Sequence, residues 1–99
     1  MLVDILLKEY PRSSFLKCAE KRLREIERIH SSEIEDLIKK YGDTPEAIAA
    51  HFFYIIGKYR IKMPVKCRIK LKFKLSPDDY KLISDVARFA FEVRDRQLS

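Results

Sequence analysis

The chain has no asparagine and one glutamine, Gln97, while charged residues make up 36% of it. Few amides beside many Lys, Glu and Arg is a composition of proteins that work at high temperature, so a thermophilic source is expected. Glycine (2) and proline (4) are scarce as well. That excludes low-complexity sequence and implies regular elements joined by short connections. Long apolar runs are missing: the longest uncharged stretch covers only residues 47–57, far short of the ~20 residues a membrane helix needs. The opening MLVDILLKEY places Asp4 inside its apolar run and has no basic leader, so it does not read as a signal peptide. A soluble, cytoplasmic protein with no membrane partner is expected.

Cysteine is equally sparse. Cys18 and Cys67 share no CxxC or zinc-type spacing, which argues against a metal site. Two buried thiols are the expected state. A disulfide gains weight only if the source is thermophilic.

What remains is one domain of 99 residues with 46% apolar content, enough for a real core. The expected organisation is a helical part over residues 1–60 and a strand-helix unit over 61–99. Residues 2–9 read either as a short helix on which Leu2, Leu6 and Leu7 share a face or as a strand with Val3, Ile5 and Leu7 on one side. The helix is favoured because the strand leaves Leu2 and Leu6 on the polar side, and Pro11 closes the segment. Ser13 or Ser14 then caps a helix whose apolar stripe is Leu16, Ala19, Leu23, Ile26 and His30. Ser32 and Glu35 have capping-box spacing, and Gly42 is a helix stop. Asp43-Thr44-Pro45-Glu46 opens another helix, whose body carries no charge on any side and should be buried all round. Ser76-Pro77-Asp78-Asp79 opens the last one, with Leu82, Val86, Phe89 and Val93 along one side, widened by Ile83, Ala87 and Ala90.

Residues 65–75 follow a different rule. Val65, Cys67, Ile69, Leu71, Phe73 and Leu75 alternate with Lys66, Arg68, Lys70, Lys72 and Lys74 without a break. Period 2 is the signature of a strand, here with one apolar and one cationic face. The expected class is therefore mainly α with one long amphipathic β-strand (α+β), four to five helices beside strand 65–75. The strand has no certain partner in its own chain, which points to pairing in a two-fold homodimer ribbon or with a short strand.

Charge is concentrated at the same place. Lys58, Arg60, Lys62, Lys66, Arg68, Lys70, Lys72 and Lys74 fall within 17 residues that hold no acid. The remainder of the chain carries 13 basic and 15 acidic residues, so the net +6 is local. Localised positive charge is the footprint of phosphate binding. Lysine predominates, and lysine makes point-charge contacts where base reading favours arginine. The expected function is a small nucleic-acid-binding accessory protein, DNA or RNA, backbone-directed and largely sequence-tolerant. The alternative is a small accessory subunit of a larger protein complex, as in replication, repair or RNA processing, that adds strand 65–75 to a partner's sheet. Tyr59 could stack on a base, although a core position suits it better.

Two stretches have the layout of DNA-reading motifs. IKLKFKLSPDDYKLISDVARF, residues 69–89, resembles the first strand and helix of ribbon-helix-helix proteins, which would imply a dimer contacting DNA through paired strands. Residues 33–55 have helix-turn-helix layout around Gly42. Their second helix offers Glu46, Ala47, Ala49 and Ala50 for an exposed side, with nothing that reads bases, so a plain αα-hairpin is expected.

No enzyme, cofactor or metal is expected. His30 and His51 fall at core-leaning positions. The acid pairs Glu33/Glu35 and Asp78/Asp79 sit in first helical turns, where capping accounts for them. Gly42 and Gly57 are isolated, so no phosphate-cradling loop exists.

Overall fold

The computed structural model describes residues 1–73 and 75–98, the last four as backbone. It contains six helices: α1 Leu2–Glu9, α2 Ser14–Ile29, α3 Ser31–Tyr41, α4 Pro45–Lys58, α5 Val65–Phe73 and α6 Pro77–Leu98. No strand occurs among the described residues, so the α+β expectation is wrong and the class is all-α.

Helix α4 is the axis of the fold. Ala47, Ile48, Ala49, Phe52 and Ile55 are buried, and α6, α3 and α1 pack around them. Thr44 caps it, accepting from the Ala47 N–H, with Pro45 in the first turn as its sequence implies. Burial is not all round, because Tyr54 is 53% exposed. Ala47, Ala49 and Ala50 face the core, which confirms α3 and α4 as an αα-hairpin turned by Gly42 at φ 101°. Helix α2 buries the stripe Leu16, Ala19, Leu23 and Ile26 and adds Phe15, which stacks on Phe53 at 5.9 Å. Helix α1 buries Val3 and Leu6, with Leu2 and Leu7 at the rim of the core. In α6, Leu82 is fully buried and Val86 packs beside it, but Ile83, Ala87 and Ala90 are exposed and do not widen that side. The Ser32–Glu35 box does not form: α3 starts at Ser31 behind His30, with no side-chain cap.

Residues 65–75 are the main correction. Val65–Phe73 is helix α5, with the Cys67 and Arg68 N–H groups both donating to the Pro64 carbonyl. The alternation is real, but a lone strand leaves a ladder of donors and acceptors unpaired, whereas a helix satisfies them within the segment. Lys, Arg and Leu are good helix formers, so propensity does not resist. Cys67 and Leu71, four residues apart, turn to one side and meet α2. The ribbon-helix-helix resemblance and the paired-strand argument for a homodimer both fall with the strand.

Cysteine pairing is the second correction. Cys18 and Cys67 form a disulfide across α2 and α5, with Cα atoms 5.6 Å apart, and no cysteine is free. Spacing could not reveal it, because the cysteines are 49 positions apart and two whole helices between them return α5 to α2. Cys67 is the only fully buried residue of α5, so the bridge is the main tie of that helix to the body.

Asp79 is the buried polar centre. Its Oδ1 accepts from the Ser13 hydroxyl at 2.6 Å and from the Phe15 N–H at 3.2 Å. Its Oδ2 accepts from the Ser76 N–H and hydroxyl, both at 2.9 Å. Ser13 in turn accepts from the Leu16 N–H. One carboxylate thus serves the N-termini of α2 and α6 together, where both helix dipoles favour a negative charge. Burial pushes its pKa up, but the hydrogen bonds from Ser13, Ser76 and Phe15 outweigh that and hold it below the ordinary aspartate value. Nearby, the Tyr10 hydroxyl donates to Asp85 at 2.7 Å, and the Arg88 guanidinium closes the other side of that carboxylate. Burial, then the hydrogen bond to Asp85, drives the Tyr10 pKa upward.

Two outcomes follow from these contacts. Cys18→Ala with Cys67→Ala removes a loop constraint worth about 4 kcal/mol in the chain-entropy model and should lower Tm by roughly 15–30 °C in calorimetry. Alkylation of two thiols in the folded, unreduced protein would contradict the bridge. Asp79→Ala strands several buried donors and should cost roughly 3 kcal/mol in urea unfolding. Because the folded Asp79 titrates below an unfolded aspartate, its contribution is full above about pH 5 and is lost as pH falls below about 4. The acid-induced loss should be smaller in Asp79→Asn, and identical acid profiles would refute this assignment.

Candidate nucleic-acid interface

The candidate surface is built from the end of α4, the link 59–64 and α5. Helix α4 ends in a Schellman arrangement, the Ile61 N–H donating to the Ile56 carbonyl at 2.9 Å and the Arg60 N–H to Gly57 at 3.3 Å. The left-handed position of that motif is normally glycine. Here it is Arg60, at φ 49° and exposed. A left-handed L-residue costs roughly 1–2 kcal/mol, so a cation is held where a glycine would be more stable. Sequence reasoning missed this, since the signal expected there is a glycine at the stop position.

Lys58 does not belong to the free set. It pairs with Glu33, whose other oxygen accepts from the Tyr59 hydroxyl at 2.7 Å. The Lys58 ammonium, then the Tyr59 hydroxyl, hold Glu33 below the usual carboxylate range, and Glu33 raises Lys58 in return. Tyr59 is neither core nor a free platform: it is 48% exposed and stacks on His30 with ring centroids 4.6 Å apart.

Beyond Lys58 the pairing stops. Among the described residues no carboxylate contacts Arg60, Lys62, Lys66, Arg68, Lys70 or Lys72. All are exposed except Lys70, which is half-buried. Elsewhere Arg22, Arg24, Lys81 and Arg88 each have an acidic partner. Lys74, expected as part of the set, lies outside the described residues.

The helix rearranges the alternation. At about 100° per residue, consecutive cations stand about 200° apart and cannot share one face. Cys67 and Leu71 point into the body. Opposite them Val65, Ile69 and Phe73 form a seam, 61%, 47% and 71% exposed. Lys66 and Lys70 flank the seam on one shoulder, Arg68 and Lys72 on the other. The Lys72 ammonium also lies 5.6 Å from the Phe73 ring centre, a cation–π contact. The expected single cationic face is therefore two cationic rows with an apolar strip between them.

A second concavity, about 500 Å³, opens between α3, α4 and α6 and is lined by Leu37, Tyr41, Tyr54, Phe89 and the buried His51. The His51 ring bonds to the Gly42 carbonyl at 3.0 Å and meets Phe89 edge-on at 5.8 Å. Burial lowers its pKa against the opposing effect of that carbonyl. With Nε2 committed to the hairpin turn, His51 braces the α3–α4 connection. No cluster of His, Cys, Asp or Glu suited to a metal occurs among the described residues, and no described helix is long and apolar enough to cross a membrane. Strand addition to a partner's sheet loses its basis with the strand. No family model, curated protein or solved structure matches this chain.

Proposed function

We propose that the protein binds nucleic acid through phosphate contacts made by Arg60, Lys62, Lys66, Arg68, Lys70 and Lys72. One observation carries this reading: these cations are collected on one short segment, and none is neutralised by an acid of the described chain. Other surface cations are interspersed with acids, as on α2, where Arg24 pairs with Asp4 and Glu20. Lys17 and Lys21 make no ion pair there among the described residues, so what sets this group apart is its clustering in a segment without acids. Unpaired cations placed together repel one another, and a polyanion relieves that repulsion. The geometry of Arg60 supports the same reading, because a strained backbone that presents a functional side chain is a common exchange of stability for function. The role is one of binding, with no catalytic group in it.

Six phosphate contacts would give a salt slope of about −5.4, so affinity for duplex should fall roughly 2,000-fold between 50 and 200 mM salt. Lys70→Glu with Lys72→Glu should weaken binding roughly 100-fold at 0.1 M salt and flatten the slope. The same charge change at Lys8 and Lys39 should do far less. Fluorescence anisotropy with unrelated duplexes and RNAs measures all of this, and absence of binding at low salt sinks the proposal. Arg60→Gly should raise stability by about 0.5–1 kcal/mol while weakening binding. A variant both more stable and fully competent to bind would show Arg60 to be idle.

A further inference from the structure

We infer that α5 is a duplex-DNA element that lies along the major groove, its cationic shoulders on the two phosphate walls and its apolar seam on the groove floor. The inference rests on the phosphate-binding reading and goes further in naming the polymer, the groove and the base group contacted. The order across the helix is cation, apolar, cation: Lys66 and Lys70, then Val65, Ile69 and Phe73, then Arg68 and Lys72. A major groove presents the complementary order, with phosphates on both walls and a floor where each thymine exposes its 5-methyl group. An α-helix with side chains is about 10–12 Å across and the B-form groove about 12 Å wide.

The opposite face of α5 is committed to the body through Cys67 and the disulfide to Cys18, so the seam is the face left to point outward. A-form RNA is excluded as the preferred polymer, because its major groove is too deep and narrow for side chains to read. A bilayer fits less well. Interfacial helices bury a broad apolar face, whereas this seam spans only about 80° of the helix and has cations hard against it on both sides. A second copy of α5 is opposed by like charge. The seam carries no hydrogen-bond donor or acceptor, so it cannot read base edges. It can register only the methyl group, which makes thymine content the sequence feature the seam senses.

The test compares three duplexes of one A·T-rich sequence by fluorescence anisotropy at fixed salt: thymidine DNA, the same DNA with deoxyuridine for thymidine, and RNA. The thymidine duplex should bind about fourfold to fifteenfold tighter than the deoxyuridine duplex, since each buried methyl is worth about fourfold. The RNA duplex should bind at least about tenfold weaker. Ile69→Ala with Phe73→Ala, both exposed positions, should erase the thymidine preference while keeping the salt slope and the far-UV circular dichroism. Equal affinity for the two DNA duplexes overturns the groove placement and leaves phosphate binding standing. Failure of the unmutated protein to bind any of the three duplexes overturns both. Tighter binding to phosphatidylglycerol vesicles than to any duplex overturns the inference in favour of a lipid surface.

Discussion

The position of α5 depends on the Cys18–Cys67 bridge. A nine-residue helix is marginal in water by itself, since nucleation is costly and few hydrogen bonds follow it. Packing normally makes up the difference, but α5 buries only Cys67 completely. The first turn is electrostatically unfavourable too, because Lys66 and Arg68 stand at the positive end of the helix dipole and no acid offsets them. The disulfide supplies what packing and capping do not. It confines the segment in the unfolded chain and fixes which side faces α2 in the folded one. That choice of side determines which residues remain for solvent. A quarter-turn of rotation would bury part of the seam and bring one row of cations against the body.

Asp79 plays the corresponding part for the rest of the fold. The start of α2 and the start of α6 are more than sixty residues apart in sequence, and one carboxylate satisfies donors from both. A buried charge is stabilising only when its lone pairs are all used, and here four donors reach it. The helices it joins flank α4, whose apolar body fills the interior. Bridge and carboxylate both act through α2: one holds its N-terminal end to α6, the other its first turns to α5. The amphipathic stripe of α2 can then remain in register with α4 while its solvent side carries ordinary ion pairs.

Much of this was legible in the residues. Ser13, one of two cap candidates, caps α2, Thr44 caps α4, Gly42 turns the hairpin, and the stripe on α2 follows its spacing except that His30 falls past the end of the helix. Those features depend on neighbours within a turn or two, which sequence displays directly. Three things were not legible, each for a non-local reason. Cys18 meets Cys67 only because two helices fold back between them. Asp79 reads as a simple first-turn acid until Ser13 arrives from the other end of the chain. The alternation over 65–75 obeys period 2, but periodicity reports the spacing of side chains and not whether the backbone will find a partner. Without a second strand, the helix is the conformation that pairs most of the segment's N–H and C=O groups within the segment itself. Of the candidate cations, Arg60, Lys62, Lys66, Arg68, Lys70 and Lys72 have no acidic partner among the described residues, and Lys74 lies outside those residues. Lys58 is the exception, and its partner Glu33 is again distant in sequence.

The correction nevertheless changes the chemistry expected of those cations. On a strand they would form one flat positive face, suited to any phosphate surface, duplex or single strand. Wound into a helix, the same residues divide into two rows, and the apolar residues meant for a core come out between them. An exposed apolar strip has a cost in water and calls for an occupant. Flat polyanions offer no apolar surface at the right depth, whereas a groove offers charge at its edges and methyl groups at its floor. Composition fixes that the protein is locally basic. The conformation of nine residues, held by one disulfide, decides what shape of anion that basicity can serve.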